Sequence, residues 1–340
     1  MDTLIFALNA ILPIILLIFL GYFLKQKNFL DEGWFKKGNK LIFKVCLPCL
    51  LFINVYNIES FQSIDWSVVI YAVIAIVAVF FIWLFVVKVT IPDNKQKGVI
   101  LQCAFRSNFA IIGLPLAESL GGVEGMGIAA VLSAFSIPVF NILAVVALTM
   151  YTGENGQKIN LADTLKKIAK NPLIIGVACG LIVLAIRLVL PVQADSTPVF
   201  TLKENVPFLF DAINNLAKIS SPLALIILGG LFDFSAVKEM KNQILIGTLS
   251  RVVVVPFVAI GVAILLSTYT SLIQFDAAVY PALVALFGSP VAVSSAIMAQ
   301  EMENDGVLAG QLVVWTSIAS IFTLFLAIVL LRGLGLLSVM

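Results

Sequence analysis

Apolar residues fall into ten long blocks, 4–24, 41–57, 66–88, 98–117, 125–150, 172–190, 207–232, 243–267, 277–299 and 307–331, with short polar stretches between them. Most reach the roughly 20 residues that an α-helix needs to cross about 30 Å of hydrocarbon. The pattern predicts an all-α polytopic membrane protein with ten transmembrane helices. The block 41–57 is short and contains Lys44, so its helix is expected to begin nearer Gly38. The first block lacks a basic segment before it and an A-x-A-like site after it, and reads as a retained span rather than a signal peptide.

The second half repeats the layout of the first. Pro115 of Gly113-Leu114-Pro115 follows Lys44-x-x-x-Pro48 by 67 residues, and Pro290 of Gly288-Ser289-Pro290 follows Lys218-x-x-x-Pro222 by 68. Residues 1–150 form one five-helix repeat and 171–340 the other, joined by a linker at 151–170 that can follow the membrane surface as an amphipathic helix, with Leu161, Leu165 and Ile168 on one side. The sixth span is expected to open at Asn171-Pro172, a capping side chain followed by proline at the first helical position. The polar stretch from 191 to 207 reads as an external loop. An odd number of spans per repeat inverts the second copy. Two inverted five-helix repeats with crossed, proline-broken helices 4 and 9 are the layout in which secondary transporters build a central site.

Composition supports the membrane reading: of 340 residues, 61% are hydrophobic and only 12% charged, with a mean hydropathy of +1.10, against a charged share of about 25% in soluble domains. Lysines alternate between loops, with Lys36 and Lys40 in one set-bearing loop, Lys95 and Lys97 in the next, then Lys166 and Lys170, then Lys238 and Lys241. The intervening loops carry almost none, so the positive-inside rule places the lysine-rich loops in the cytoplasm and both termini outside. Glu301, Glu303 and Asp305 make one purely acidic loop on that same side. A net charge of +2 without a basic tract gives no case for nucleic-acid binding.

The polar points inside the apolar blocks carry the candidate chemistry. Gly113 and Pro115, with Leu114 between them, are expected to interrupt the fourth helix, and Gly288, Ser289 and Pro290 the ninth. Such breaks free backbone groups that are tolerable only against protein or a wet cavity, and half-helix N-termini then offer amides and positive dipole ends to an anion. Arg106 lies deep in the fourth block, where a fixed charge is expensive; it either serves the site, snorkels to the surface or pairs within the protein. Asn108 nearby can donate to a carboxylate. Lys44, Lys218 and Arg251 are candidates for electrostatic support, Arg251 alternatively for neutralising an acid such as Asp233. Without histidine, and with Cys46, Cys49, Cys103 and Cys179 all inside apolar blocks, no metal, cofactor or catalytic residue is expected. Coupling to proton or sodium is left open.

Leu47-Pro48 with CLLF after it, RSNFAIIGLPLA at 106–117, NPLIIGVACGL at 171–181, SPLALIILGG at 221–230 and the proline-centred ninth block together resemble the auxin efflux carrier family, in its bacterial branch of malate and malonate carriers. The resemblance covers essentially the whole chain. It implies ten helices, with the first, second, sixth and seventh forming a scaffold that makes a homodimer contact in a bacterial inner membrane, and helices 3–5 and 8–10 forming a transport domain. The family's crossover prolines would correspond to Pro115 and Pro290, and its preceding polar residue to Asn108. Gly288-Ser289 departs from the plant pattern, and the long plant loop is replaced by 151–170, so auxin itself is not carried over as the substrate.

The leading expectation is therefore a secondary transporter of small mono- or dicarboxylates. The alternatives are a sodium-coupled carrier of bulkier amphipathic anions, which sodium dependence with a bulky competing ligand would favour, and a carrier-fold membrane sensor, which would need a signalling surface. The lysine alternation makes a direct prediction. Cysteines placed at Lys36 and Lys166 should react with an impermeant label only from the cytoplasmic side, and labelling of Lys166→Cys in intact cells would overturn the topology.

Overall fold

The computed structural model describes residues 2–57, 66–151, 166, 169–189, 201–233, 235–270 and 273–337, with side chains from Leu12 in the first helix and to Arg187 in the sixth. Among them the regular secondary structure is entirely helical. The helices longer than one turn are α1 (Asp2–Gln26), α2 (Glu32–Tyr56), α3 (Trp66–Thr90), α4 (Asn94–Phe105), α5 (Phe109–Met150), α6 (Pro172–Val189), α7 (Pro207–Leu231), α8 (Lys241–Tyr269), α9 (Val279–Gly288), α10 (Ser294–Glu301) and α11 (Gly306–Gly333). By length and composition α2, α3, α5, α7, α8 and α11 can each cross a membrane. Three shorter apolar helices lie at Leu12–Gln26, Pro172–Arg187 and Val279–Gly288. The linker helix expected around Leu161, Leu165 and Ile168, and most of the loop from 191 onward, lie outside the described residues.

Helix α2 starts at Glu32, six residues before Gly38, because a capped amphipathic turn precedes its apolar block. The Asp31 carboxylate accepts from the Trp34 amide at 2.7 Å, and Lys36 pairs with Glu32 at 2.6 Å while Phe35 turns inward. Helix α5 runs for 42 residues, about 63 Å at 1.5 Å per residue, twice what a bilayer core accommodates. It folds back at Gly122, whose φ of 58° and ψ of −149° suit glycine. A side chain built at Gly125 would come within 2.9 Å of the Ala117 carbonyl oxygen, so the chain on either side of Gly122 runs back along itself.

Three of the prolines in these helices share one local device. Three π turns, Ile42–Cys46, Phe109–Gly113 and Ser250–Val254, each end two residues before a proline: Pro48, Pro115 and Pro256. A proline ring clashes with the carbonyl four residues back and donates nothing to it. Widening the turn to i→i+5 relieves both faults without opening the helix.

Two helix pairs pack backbone to backbone. On α1 and α7, a Cβ at Gly21 would lie 1.8 Å from the Ile226 carbonyl oxygen, and one at Gly229 would lie 1.8 Å from that of Ile18. On α2 and α6, Gly176 sits over Pro48 and Gly180 against Val55. Small residues allow this approach, in which dispersion replaces the hydrophobic drive that lipid cannot supply. A second group packs α5 on α9, α4 on α8 and α11, and α10 on α11. Gly229→Ala should push α1 and α7 apart and cost on the order of 2–3 kcal/mol, read as a lower thermal unfolding temperature in detergent. Gly261→Ala on α8, where nothing lies within 4 Å, should be neutral or slightly stabilising.

Candidate substrate-binding site

Both the fourth and the ninth apolar blocks are broken, and the two breaks pair with each other. After α4, Arg106 (φ −87°, ψ 112°) and Asn108 (φ −80°, ψ 49°) leave helical geometry. After α9, Ser289 (φ −64°, ψ 148°) does the same. The Asn108 amide donates to the Pro290 carbonyl at 2.8 Å, and Ser107 and Val291 form an isolated antiparallel bridge. The ninth break stands where Gly288, Ser289 and Pro290 were expected to put it. The fourth does not: Gly113 and Leu114 are helical, and Pro115 lies in the first turn of the α-helical part of α5, its strain taken up by the π turn. The chain opens instead at Arg106-Ser107-Asn108, where the Asn108 amide turns to the Pro290 carbonyl; serine and asparagine are both weaker helix formers than alanine and leucine. Gly113 serves packing, since a Cβ there would meet the Phe109 ring at 2.3 Å and the Ala285 carbonyl oxygen at 3.0 Å.

The breaks orphan carbonyls, and Arg251 collects them. Asn108 is the residue whose amide would have served the Ala104 carbonyl, but it is turned to Pro290; Arg251 Nη1 donates to Ala104 at 3.1 Å in its place. Pro290 has no amide to give Leu286, and Val291 gives its own to Thr316 Oγ1; Arg251 Nη2 donates to Leu286 at 3.2 Å and to Phe287 at 2.7 Å. Its Nε reaches the Ser289 carbonyl at 2.9 Å. Fully buried in the π turn of α8, Arg251 closes the C-terminal ends of two half-helices at once, where partial negative charge gathers. It makes no bond to Asp233, whose carboxylate accepts from Ser235, and the expectation that Arg251 neutralises that acid is corrected accordingly.

Arg106 is built differently. It is buried, and its guanidinium donates to Asn141 Oδ1 at 2.7 Å, to Ser294 Oγ at 2.7 Å and to the Met298 thioether. Asn141 is itself aimed by its amide, which donates to the Ile137 carbonyl at 2.7 Å. All three acceptors are neutral, and among the described residues no carboxylate bonds Arg106. Its side chain lines a cavity of about 60 Å³ at the crossing. Asn54 from α2 and Ser220 and Ser221 from α7 form one wall; Ser107, Asn108, Asn141 and Ser294 form the other, with Leu47, Phe140 and Leu173 filling in. The hydroxyls of Ser107 and Ser220 are buried there with no partner. The first turns of α5 and α10 both border the cavity, and in α10 the Ser295 and Ala296 amides are already taken by the Ala292 and Val293 carbonyls.

Of the residues singled out from the sequence, Arg106 and Asn108 line this cavity and Pro290 anchors the bridge beside it. Gly113, Leu114, Pro115, Gly288 and Ser289 do not line it. Lys44 and Lys218 are exposed and lie away from it. Sequence reasoning missed Asn54 and Asn141; the available signal was a lone amide inside an otherwise apolar span.

Paired broken helices around a small cavity with a polar cluster in its largely apolar lining, in an apolar chain whose regular structure among the described residues is helical, are the equipment of a membrane transporter. Residues 6–328 match the family model described as membrane transport protein, and the chain belongs to that family, the auxin efflux carriers and their relatives. The family is one of transporters rather than enzymes. The chain is 25% identical to the uncharacterized transporter MJ1031 of Methanocaldococcus jannaschii over 74% of its length and 77% of the relative's. It is 23% identical to the uncharacterized transporter YfdV of Escherichia coli over 56% of its length, spanning 62% of that relative.

Removing Arg251 should be a folding defect. Arg251→Met leaves four carbonyls without their donor, each worth about 1–3 kcal/mol when buried unmet, against a total stability of about 5–15 kcal/mol. Little monodisperse protein should survive purification, with Arg251→Lys recovering part of the yield and unfolding temperature.

Proposed function

We propose that this protein is a secondary transporter of small organic anions, mono- or dicarboxylates of the size of malonate or malate, working by alternating access across a bacterial inner membrane with both termini outside. The observation that carries the reading is Arg106, a buried guanidinium facing a cavity with only neutral acceptors around it. Burying a charge without its counter-ion costs on the order of several kcal/mol, and a carboxylate entering the cavity supplies that counter-ion. Asn108, Asn141 and Ser294 and the two unpartnered hydroxyls complete a donor-rich lining.

The volume bears on the size of the substrate. About 60 Å³ is a few times the roughly 10–15 Å³ that one water needs on the same measure. That suits a small carboxylate and disfavours the bulkier amphipathic anions of the alternative reading. The architecture we assign is ten spans in two inverted repeats. Its support lies in the reciprocal packing of α1 on α7 and α2 on α6, together with the paired breaks at Ser107 and Val291. In this reading α1, α2, α6 and α7 are a scaffold, through which two copies associate, and the remaining helices move against it.

Arg106→Ala should remain folded and lose about 1.5–3 kcal/mol of anion binding, a rise in Kd for malonate of about 10- to 150-fold. Arg106→Lys should recover only part if the contact is bidentate. Calorimetric binding, thermal stabilisation by malonate and uptake into proteoliposomes check this together, and wild-type affinity in a folded Arg106→Ala protein would overturn the reading.

A further inference from the structure

Helices α8 and α11 close on each other near their starts, where a Cβ at Gly247 would meet the Leu312 side chain at 2.5 Å. Beyond Val255 they part. Both still rest on α9 but scarcely touch one another, and a slot of about 270 Å³ lies between them with Val284 and Gly288 of α9 as its floor. Its walls run over 252–264 on α8 and 323–334 on α11, about 16–18 Å at 1.5 Å per residue, a little over half of the roughly 30 Å hydrocarbon core. The slot therefore has the length of one leaflet. Phe257 and Leu326 on its rim are 81% and 57% exposed, so it opens sideways to lipid, and a Cβ at Gly261 would meet nothing within 4 Å.

The lining excludes polar cargo. Thr323 is its one polar side chain, and that hydroxyl is turned to the Ala319 carbonyl at 3.3 Å, so a polar ligand would be buried there without partners. The end of the slot is different. Arg332, in the last turn of α11 between the lining residues Leu331 and Leu334, is exposed, and among the described residues no acid pairs with it. Tyr269 ends α8 and is 79% exposed. It stands as far beyond Gly247 as Leu334 stands beyond Leu312, so the contact between Gly247 and Leu312 puts Tyr269 and Arg332 at nearly one depth. A tyrosine and a cation at the ends of neighbouring spans mark the headgroup level.

We infer that the slot between α8 and α11 is a binding site for one anionic phospholipid, with an acyl chain laid along Gly261 and the headgroup phosphate at Arg332. A membrane-spanning helix of a partner, or of a second copy of this chain, would run on through the other leaflet, where α8 and α11 are closed against each other; an acyl chain ends where the slot ends. Gly288 belongs to this site rather than to the Arg106 cavity. A Cβ there would meet Leu324 at 2.7 Å, so glycine keeps the floor of the slot low. The inference does not depend on the anion reading, and its test needs no carboxylate.

The test uses the full chain with Trp34, Trp66, Trp83 and Trp315 replaced by phenylalanine and a single reporter, Phe257→Trp. It is reconstituted in phosphatidylcholine vesicles that carry increasing fractions of phosphatidylglycerol brominated in mid-chain, since bromine quenches a tryptophan it touches. A cation at the headgroup favours an anionic lipid by about fivefold, so brominated phosphatidylglycerol should quench the reporter at correspondingly lower fractions than brominated phosphatidylcholine. Arg332→Gln should bring the two curves together, and Gly261→Leu should lower quenching by both lipids. A reporter at Ile74→Trp, which faces lipid on α3 outside the slot, should show no preference. Equal curves in the parent, a preference that survives Arg332→Gln, or the same preference at Ile74→Trp would overturn the site, and a reporter that neither lipid quenches would mean that protein covers it. In the wild-type chain in detergent, phosphatidylglycerol should raise the unfolding temperature more than phosphatidylcholine, and Arg332→Gln should remove the difference. Equal stabilisation of the wild-type chain by both lipids would overturn the inference whatever the tryptophan variants do.

Discussion

The interaction on which this structure depends is the fan of hydrogen bonds from Arg251 to the Ala104, Leu286, Phe287 and Ser289 carbonyls. A helix broken at membrane depth exposes acceptors that no lipid can satisfy, and here two helices are broken against each other. A single buried guanidinium offers donors in a rigid planar fork, and arginine alone among side chains can reach four carbonyls from two chain segments in this way. Its charge is met by the partial negative ends of α4 and α9, so the desolvation that would make a buried cation costly is offset by oriented dipoles rather than by an acid. With the C-terminal ends closed by Arg251, the N-terminal ends of α5 and α10 are left to face the cavity.

The same residue type therefore has two opposite tasks within one crossing. Arg251 is bound to main-chain oxygens that belong to the fold and cannot be exchanged. Arg106 is bound to two neutral side-chain oxygens and a thioether, a weak acceptor, and keeps donor capacity that the protein does not use. A stronger acceptor such as a carboxylate can take up that capacity without dismantling the backbone. The Asn141 amide, held by Ile137, keeps the guanidinium oriented meanwhile.

Much of this was legible in the chain. The apolar blocks locate most helices to within a few residues, though α2 begins nine residues before its block, and Pro290 marks its break because a proline ring and a missing amide fall on the same carbonyl, Leu286. The match of Pro115 to Pro290 by spacing was misleading: Pro115 stands beyond the break, behind a π turn that absorbs it, and the equivalent of Pro290 is the Ser107-Asn108 stretch it pairs with. Lys44 and Lys218 stand near the middle of α2 and α7, exposed and outside the cavity lining. The task of Arg251 had no sequence signal, since its partners are main-chain atoms up to 147 positions away, and a carbonyl reads the same at every residue.

The placement of the cavity constrains how a carrier could use it. Its walls come from α2 and α7 on one side and from the crossing on the other, while the Ser107–Val291 bridge and Arg251 tie the crossing into one unit. Sliding one half-helix past the other would break those backbone bonds, so in the proposed alternating-access carrier the crossing would travel as a whole. On the carrier reading the surface left to yield is the one between Asn54, Ser220 and Ser221 and the crossing, where the groups in need of partners include the Ser107 and Ser220 hydroxyls and the spare donors of Arg106. An anion lodged there would touch both walls, and its departure would cost the resting wall little, because Asn54, Ser220 and Ser221 can rebond to water while Arg106 returns to Asn141 and Ser294. In the proposed carrier a site divided in this way would hold its substrate through the crossing and release it from the α2 and α7 wall.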